Sequence, residues 1–448
     1  MEKLKVREIL SYSFGGLGKN LAYMMVSTYT LYFYNKVLGV SASFVGTLLM
    51  IARIFDAFND PIMGAIVSKT RTRWGRYKPW ILSGAVLNSL VMIAMFNVPE
   101  SMNLTGTKFY ISVTYVLCGI TYTLSDIPYW SVIPAITQPG RERENITLVT
   151  RILSGIGSGI ATALSMFFVR LFGKTSVLGA DGTPIINEKR GFCILAIVIA
   201  AVYTISTIIT VVNLPKEKYP EDSSLSVKEI FKALFQNDQA MCVAAIIICF
   251  LTAISITLNN AVYLFDFDLM TPELYTPFMV VLGVGQFLGM ALYYPTMRKF
   301  MSNRKIFLTA ICVEIIGYTI LLIQAFPQKL SFLGLLIPCF FMGGGLGIAY
   351  ILTTVFIANA VNYGEQKTGK RQNSLVSSLQ TLMSKFATSL SVLIAGIGLD
   401  IVKYNQDLLA TGQAQLHETL LRGRLLFAAP SLVFAVIALI FLLKRKDL

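Results

Sequence analysis

The chain has 448 residues, of which 55% are hydrophobic and 14% are charged, and apolar runs of about twenty residues recur along its whole length. Runs of this length predict membrane-spanning helices and exclude a β-barrel, whose spans are about ten residues of alternating polarity. The net charge of +14 comes from basic residues in the short loops between the runs, which indicates orientation in a membrane and argues against nucleic-acid binding. We therefore expect an all-α membrane protein.

Twelve apolar segments are long enough to be predicted as membrane-spanning helices. They lie near residues 10–34, 41–67, 79–97, 108–135, 146–173, 191–213, 241–265, 275–297, 305–326, 332–358, 375–402 and 422–444. An even number of spans puts both termini on one side of the membrane. Lys and Arg are concentrated in the loops on that side, which predicts that both termini are cytoplasmic.

The longest cytoplasmic polar break follows the sixth span and divides the chain in two. It predicts a six-helix bundle at 1–213, a central cytoplasmic loop at 214–240 and a second six-helix bundle at 241–448. Inside the loop, Ser226 and Glu229 have the spacing of a capping box and precede an apolar face at helical spacing. We predict an amphipathic helix on the inner membrane surface here, with an extension of the seventh span as the alternative.

The arrangement of six plus six spans looks like the major facilitator fold, in which two bundles rock around a central site. Gly64, Arg73, Gly75 and Arg76 follow the second span and resemble a degenerate form of the loop signature of that superfamily. The six cysteines fall in apolar segments without the paired spacing of a metal site, so we expect no cofactor.

The second and fourth spans carry acidic side chains at the depth of the hydrocarbon, where unpaired charge is costly. Asp56 and Asp60 share one helical face, with Asn59 beside them. Thr123 and Asp126 share a face of the fourth span. These oxygens suit a small cation such as Na+, although the same acids could carry a proton. Repulsion between three neighbouring acids favours a bound cation or proton over a purely structural role.

Basic residues in other spans supply the structural alternative for these acids. The candidates are Lys19, Arg53, Arg151 and Lys385. Lys19, Arg151 and Lys385 could also donate to sugar hydroxyls or to an anionic group, and the sequence leaves these uses open.

Trp130 lies one turn beyond Asp126, so an aromatic face adjoins a hydrogen-bond acceptor. This pairing suits a sugar ring, whose C–H groups pack on the indole while its hydroxyls bind the carboxylate. The alternative is that the tryptophan only fills space between helices. The presence of Asp126 favours the binding role.

Five segments of the chain resemble the glycoside-pentoside-hexuronide:cation symporters. The segments are 56–64, 73–80, 122–131, 141–144 and 363–371, and they occur in the order expected for that family. The resemblance implies that Asp56, Asn59, Asp60, Thr123 and Asp126 bind the coupling cation. It implies substrate-binding positions at Lys19, Asn20, Asp126, Trp130, Arg151, Tyr350, Gln380, Thr381 and Lys385. It implies a cytoplasmic gate that includes Arg141, Glu365 and Arg371.

The chain departs from the family at three asparagines. Asn20 stands where a well-known member has an aspartate beside the first-span lysine, which removes a charge that would repel an anionic sugar. Asn359 and Asn362 stand where the family often has acids, and the loss of those charges weakens the expected inner gate.

The resemblance implies a cation-coupled importer of a glycoside, pentoside or uronide, and no enzymatic activity. We expect a multi-pass protein of the bacterial plasma membrane that works as a monomer in the bilayer. Asn59 and Thr123 favour Na+ as the coupling ion, because a proton needs no neutral oxygen ligands; H+ and Li+ stay as alternatives. Two other functions stay open, a transporter of an amphiphilic anion such as a lysolipid and a sugar sensor that binds without transport.

Overall fold

The fold consists mainly of long helices that form two compact units. The computed structural model describes residues 4–178, 184–219, 237–271, 274–327, 330–369, 373–402 and 415–444. The first unit comprises Met1–Lys232 together with Thr368–Ser378. The second unit comprises Ala233–Lys367 together with Leu379–Leu448.

The first unit is built on six helices that follow the first six predicted spans. They are α1 Val6–Tyr32, α2 Ala42–Lys69, α3 Lys78–Phe96, α4 Leu104–Ile136, α5 Arg141–Phe172 and α6 Glu188–Asn213. A π-helical turn at Phe33–Val37 extends α1. The side chain of Asn103 caps α4 and that of Asn187 caps α6, since each accepts a backbone N–H of the first turn.

Six further helices follow the remaining predicted spans. They are α7 Asp238–Tyr263, α8 Tyr275–Leu288, α9 Asn303–Ile323, α10 Phe332–Thr368, α11 Asn373–Val402 and α12 His417–Lys444. A π-helical turn at Leu264–Asp268 extends α7. Another at Gly289–Tyr293 continues α8 into a short helical piece at Tyr294–Met297.

The helices differ in how apolar they are. Within the described ranges, seven are long and apolar enough to cross a membrane, namely α3, α6, α7, α8, α9, α10 and α12. Helix α5 adds an eighth span if its two parts, which are bent by 47°, are counted as one. Helices α1, α2 and α4 fall outside this set, and they carry Lys19, Asp60 and Asp126. Lys19, Asp60 and Asp126 therefore lie on helices that hydropathy alone does not detect.

Close helix contacts in the first unit depend on glycine. A Cβ atom on Gly157 of α5 would lie 2.3 Å from the carbonyl oxygen of Leu17 in α1. A Cβ atom on Gly18 would lie 2.0 Å from the side-chain oxygen of Ser206 in α6. The missing side chains let α1 lie directly against α5 and α6, with Lys19 next to the crossing.

Two connections between helices bear on the predictions, the loop after α5 and the loop between the two predicted bundles. The loop after α5 contains strands β1 Lys174–Leu178 and β2 Pro184–Ile186, which pair antiparallel. The all-α prediction therefore misses a small two-stranded sheet, in which the β-branched Thr175 and Val177 favour an extended chain. The predicted amphipathic helix at 225–235 lies outside the described residues.

Candidate functional site

A buried ion pair joins α1 to α4 in the first unit. The Nζ atom of Lys19 lies 2.5 Å from Oδ1 of Asp126, and the two side chains are 2% and 6% exposed. The same oxygen accepts hydrogen bonds from Nε1 of Trp130 at 3.1 Å and from the hydroxyl of Tyr122 at 3.3 Å. Three donors thus converge on one carboxylate oxygen, and the lysine compensates its charge inside the unit.

Aromatic rings lie beside Lys19 and beside a second basic residue near the pair, Arg151. Nζ of Lys19 lies 4.2 Å from the ring centroid of Tyr129 and 4.5 Å from that of Trp130. The guanidinium carbon of Arg151 lies 4.1 Å from the Trp130 centroid. Both distances to the indole are in the range of cation–π contacts. The indole predicted to receive a sugar ring is therefore covered by two basic side chains in this conformation.

An interlocked tyrosine pair holds α1 and α4 together beside the ion pair. The rings of Tyr12 and Tyr129 stack at 4.5 Å, and each hydroxyl donates to the backbone carbonyl of the other residue, at 2.5 and 2.8 Å. Sequence reasoning missed both tyrosines and also Tyr122. The sequence shows only that Tyr12 lies seven residues before Lys19 and so shares its helical face, and it does not indicate the contact with Tyr129.

The two acids of α2 face α4 in register. Asp60 is fully buried, and Oδ1 accepts a hydrogen bond from the hydroxyl of Thr123 at 3.1 Å. One turn earlier, Asp56 lies over Gly119, where a Cβ atom would be 2.6 Å from its Oδ1. Each pair of positions is four residues apart on its helix, so α2 and α4 run side by side in the same direction. Asn59 is half-buried on α2.

The predicted cation ligands are only partly assembled here. Among the residues that the structure describes, no three acidic, histidine or cysteine side chains are grouped closely enough to hold a metal ion. Asp126 is bound to Lys19 instead of joining Asp56 and Asp60. Because Thr123 and Asp126 are three residues apart on one face of α4, the acid pair and the ion pair are nevertheless neighbours along that helix.

The predicted substrate residues of the second unit lie on α10 and α11. Nε2 of Gln380 donates to the hydroxyl of Thr354 at 2.9 Å, and that hydroxyl donates to the backbone carbonyl of Tyr350 at 3.1 Å. Lys385 is buried on α11. The side chain of Thr381 is outside the described part of the structure.

The remaining predicted positions have local contacts. The amide of Asn20 donates to the carbonyl of Gly16 in its own helix at 2.9 Å. Arg141 begins α5 and lies 3.8 Å from the carboxylate of Glu144. Glu365 is half-buried near the end of α10, and Arg371 is not among the described residues.

Relatives of the chain are transport proteins. It is 27% identical over 401 residues to the inner membrane symporter YicJ of Escherichia coli (strain K12), an alignment that covers 88% of this chain and 81% of YicJ. It is 28% identical over 415 residues to the isoprimeverose transporter of Lactiplantibacillus pentosus, with 91% and 82% covered. A lactose permease of Lactobacillus delbrueckii subsp. bulgaricus is 27% identical over 87% of this chain, which spans 62% of that permease.

Solved structures with a similar fold belong to the major facilitator superfamily. The transporter FucP in the outward conformation superposes with a TM-score of 0.68 at 14% identity, over 97% of this chain and 98% of FucP. The proton:xylose symporter XylE, bound to 6-bromo-6-deoxy-D-glucose, gives 0.65 at 14% identity, over 98% and 95%. At this identity the likeness shows the fold alone, an all-helical major facilitator fold.

The sequence profile of the family described as MFS/sugar transport protein matches residues 11–444. The named relatives are permeases, symporters and transporters rather than enzymes. The predicted family is therefore confirmed, and the chain belongs to the MFS/sugar transport protein family of multi-pass membrane transporters.

Proposed function

We propose that the chain is a secondary symporter that imports a glycoside, pentoside or uronide together with Na+. The observation that best supports this proposal is one face of α4, on which Thr123, Asp126 and Trp130 follow one another. Thr123 binds Asp60 of the acid pair, whereas Asp126 and Trp130 contact Lys19. A cation site and a sugar site would therefore share a single helix.

The cation binds at the α2 end of this face. Asp56, Asp60, Asn59 and Thr123 supply carboxylate, amide and hydroxyl oxygens, the hard ligands that Na+ prefers over protein nitrogen or sulfur. A cation here compensates the two carboxylates and fixes α4 through Thr123. It thereby orients Asp126 for the sugar, so each ligand raises the affinity for the other.

The substrate binds at the Trp130 end. Lys19 and Arg151 lie against this indole, and both donate to hydroxyl or carboxylate oxygens. Two cations beside one ring favour a sugar that carries a carboxylate, a uronide, and the neutral Asn20 adds no repulsion. The named relatives include proteins for lactose and isoprimeverose, so neutral glycosides belong in the same test. In the second unit, Tyr350, Gln380, Thr381 and Lys385 are proposed substrate ligands.

The proposed topology follows from the charge of the loops. Twelve helices cross the bacterial inner membrane with both termini in the cytoplasm, because Lys and Arg are concentrated in the loops on that side. The bundles are 1–213 and 241–448, the loop 214–240 is cytoplasmic, and the transporting unit is a monomer. Arg141, Glu365 and Arg371 belong to the proposed inner gate.

Uptake into proteoliposomes tests the coupling. Purified chain is assayed with labelled lactose, raffinose, isoprimeverose and a uronide, under an inward sodium gradient, an inward proton gradient or neither. We expect accumulation of at least one sugar that requires the sodium gradient. Accumulation that follows the proton gradient without sodium would overturn the Na+ assignment, and binding without accumulation under any gradient would indicate a sensor.

Tryptophan fluorescence tests the substrate site directly. The chain has three tryptophans, Trp74, Trp80 and Trp130, of which only Trp130 lies beside the Lys19–Asp126 pair. We expect a transported sugar to change the emission of the unmodified chain and to have no effect on Trp130→Phe. The matched control is Trp74→Phe, because Trp74 is exposed in the loop after α2. A response that persists in Trp130→Phe would place the sugar elsewhere.

A further inference from the structure

A carboxyl group lies by itself inside the second unit. Glu314, near the middle of α9, is 0% exposed. Within the residues described, neither of its carboxyl oxygens has a hydrogen-bond partner, and no charged side chain acts on the group. Sequence reasoning missed this residue, although an isolated acid in an apolar span marks a functional position by default.

The described residues around Glu314 are closely packed and uncharged. Gly345 of α10 faces it, since a Cβ atom there would lie 3.3 Å from Cγ of Glu314. The buried Tyr318 lies one turn further along α9 and interacts electrostatically with both Glu314 and Cys339 of α10. Thr257 of α7 lies beside Tyr318, and its hydroxyl forms a hydrogen bond with that of Ser431 of α12 at 3.0 Å.

These contacts determine which ligand the carboxyl can take. An ionised carboxylate without a counter-charge is too costly to bury, so the group is neutral in this conformation. A metal cation needs several oxygen ligands, whereas a proton needs only one carboxylate oxygen. A neutral acid without a hydrogen bond still costs free energy that an apolar side chain would not. Unlike an apolar side chain, the neutral acid carries a proton that it can release.

We propose that Glu314 is a proton-binding site, separate from the acids of α2 and α4, that exchanges one proton with water during the conformational cycle. The conformation described here holds the proton and is favoured as the pH falls, and release requires a conformation in which water reaches Glu314. The effect passes to α10, which packs on Glu314 at Gly345 and carries Tyr350 further along.

Infrared spectroscopy tests the bound proton without any need for transport. The full chain in lipid is examined at neutral pH, where exposed carboxyl groups are ionised and only buried acids show the carbonyl band of a protonated carboxyl group. We expect this band to be reduced in Glu314→Gln and unchanged in Glu418→Gln, whose carboxylate is exposed and paired with Arg422. A band that is unaffected by Glu314→Gln overturns the proposal.

The pH dependence of the same signals tests proton exchange. We expect the Glu314 band to decrease reversibly as the pH is raised. The uptake measurement rests on the proposed function. We expect the uptake rate of the unmodified chain to change by up to about tenfold per pH unit, and this change to be smaller in Glu314→Gln. A band that does not titrate, or a pH profile of uptake that Glu314→Gln leaves unchanged, overturns the proposed proton exchange.

If Glu314→Gln fails to fold, Glu314→Asp keeps the acid and is expected to shift the band. If no sugar is transported, the infrared titration alone decides.

Discussion

The two units bury their ion pairs in different ways. In the first unit, Lys19 reaches Asp126 with a single ammonium group that also contacts two aromatic rings. In the second unit, the guanidinium of Arg424 binds both oxygens of Asp268, at 2.5 and 2.8 Å, and both side chains are 3% exposed. The Lys19–Asp126 pair has a single N–O contact, whereas the Arg424–Asp268 pair is bidentate.

The geometry of the two pairs indicates that the Lys19–Asp126 contact can be exchanged, whereas the Arg424–Asp268 contact is fixed. An ammonium group is a compact charge on a flexible stem, so a sugar hydroxyl or another cation can replace it on Asp126. The guanidinium of Arg424 also donates to the backbone carbonyls of Ala325 and Pro327. It therefore joins α12, the end of α7 and the turn after α9, and its geometry leaves little room for exchange. We interpret the first pair as functional and the second as structural.

The largest effect is expected when the fixed pair is broken. Arg424→Ala leaves the buried carboxylate of Asp268 without its partner and two carbonyls without their donor. We expect the second unit to lose about 3–5 kcal/mol of stability. Thermal unfolding of the purified chain in detergent measures the loss.

The control for this prediction lies two residues away on the same helix. Arg422 pairs with Glu418 at the surface, where the side chains are 47% and 75% exposed, so Arg422→Ala is expected to cost less than about 1 kcal/mol. The double variant Arg424→Ala with Asp268→Ala removes the orphaned charge and is expected to be more stable than Arg424→Ala alone. Equal losses for Arg424→Ala and Arg422→Ala would contradict the structural interpretation.

A smaller effect on stability and a large one on coupling are expected at Asp60. Asp60→Asn keeps the shape of the side chain and an oxygen that can accept from Thr123, but removes the charge that we propose attracts Na+. Sodium in a coupled carrier raises sugar affinity by about 5- to 150-fold, and we expect this factor to fall to about one. Sugar binding with and without sodium, followed by the Trp130 fluorescence, gives the factor directly.

Asp238→Asn is the matched control for Asp60→Asn. Asp238 begins α7 and pairs with Lys367 in a contact that is exposed on both sides. Asp238→Asn changes the net charge of the chain by the same amount as Asp60→Asn but leaves Asp56 and Asp60 unaltered. A sodium effect that survives in Asp60→Asn, or that disappears equally in Asp238→Asn, would show that Asp60 is not a cation ligand.

The sequence predicts best what depends on spacing along one helix. Asp56 and Asp60 share a face because of helical geometry, and so do Thr123 and Asp126. In the structure, Asp56 and Asp60 both face α4, where Thr123 contacts Asp60 and Asp126 contacts Lys19. The contact between Lys19 and Asp126 was only one of several possible pairings, since the sequence does not say which helices are neighbours.

Contacts between helices explain most of what sequence reasoning missed. The Tyr12–Tyr129 interlock and the position of Arg151 over Trp130 depend on how α1, α4 and α5 pack, which no local pattern encodes. Asp268 lies beyond the predicted end of the seventh span, because a π-helical turn extends α7. The spacing of the acids and the tryptophan along their helices is therefore predictable from the sequence, whereas the groups that contact them from other helices are not.

The smallest effect is expected from removing one hydroxyl. Thr123→Val keeps the size and branching of the side chain but deletes the hydrogen bond to Asp60, a loss of about 1 kcal/mol that corresponds to roughly a fivefold weaker affinity for Na+. The control is Thr319→Val on α9, because the hydroxyl of Thr319 bonds only to Ile315 of its own helix and the side chain is exposed. Sodium titrations of sugar binding compare the two variants. A weaker sodium response in Thr123→Val alone would identify the hydroxyl as a cation ligand. Unchanged responses in both variants would show that Na+ binds without this hydroxyl.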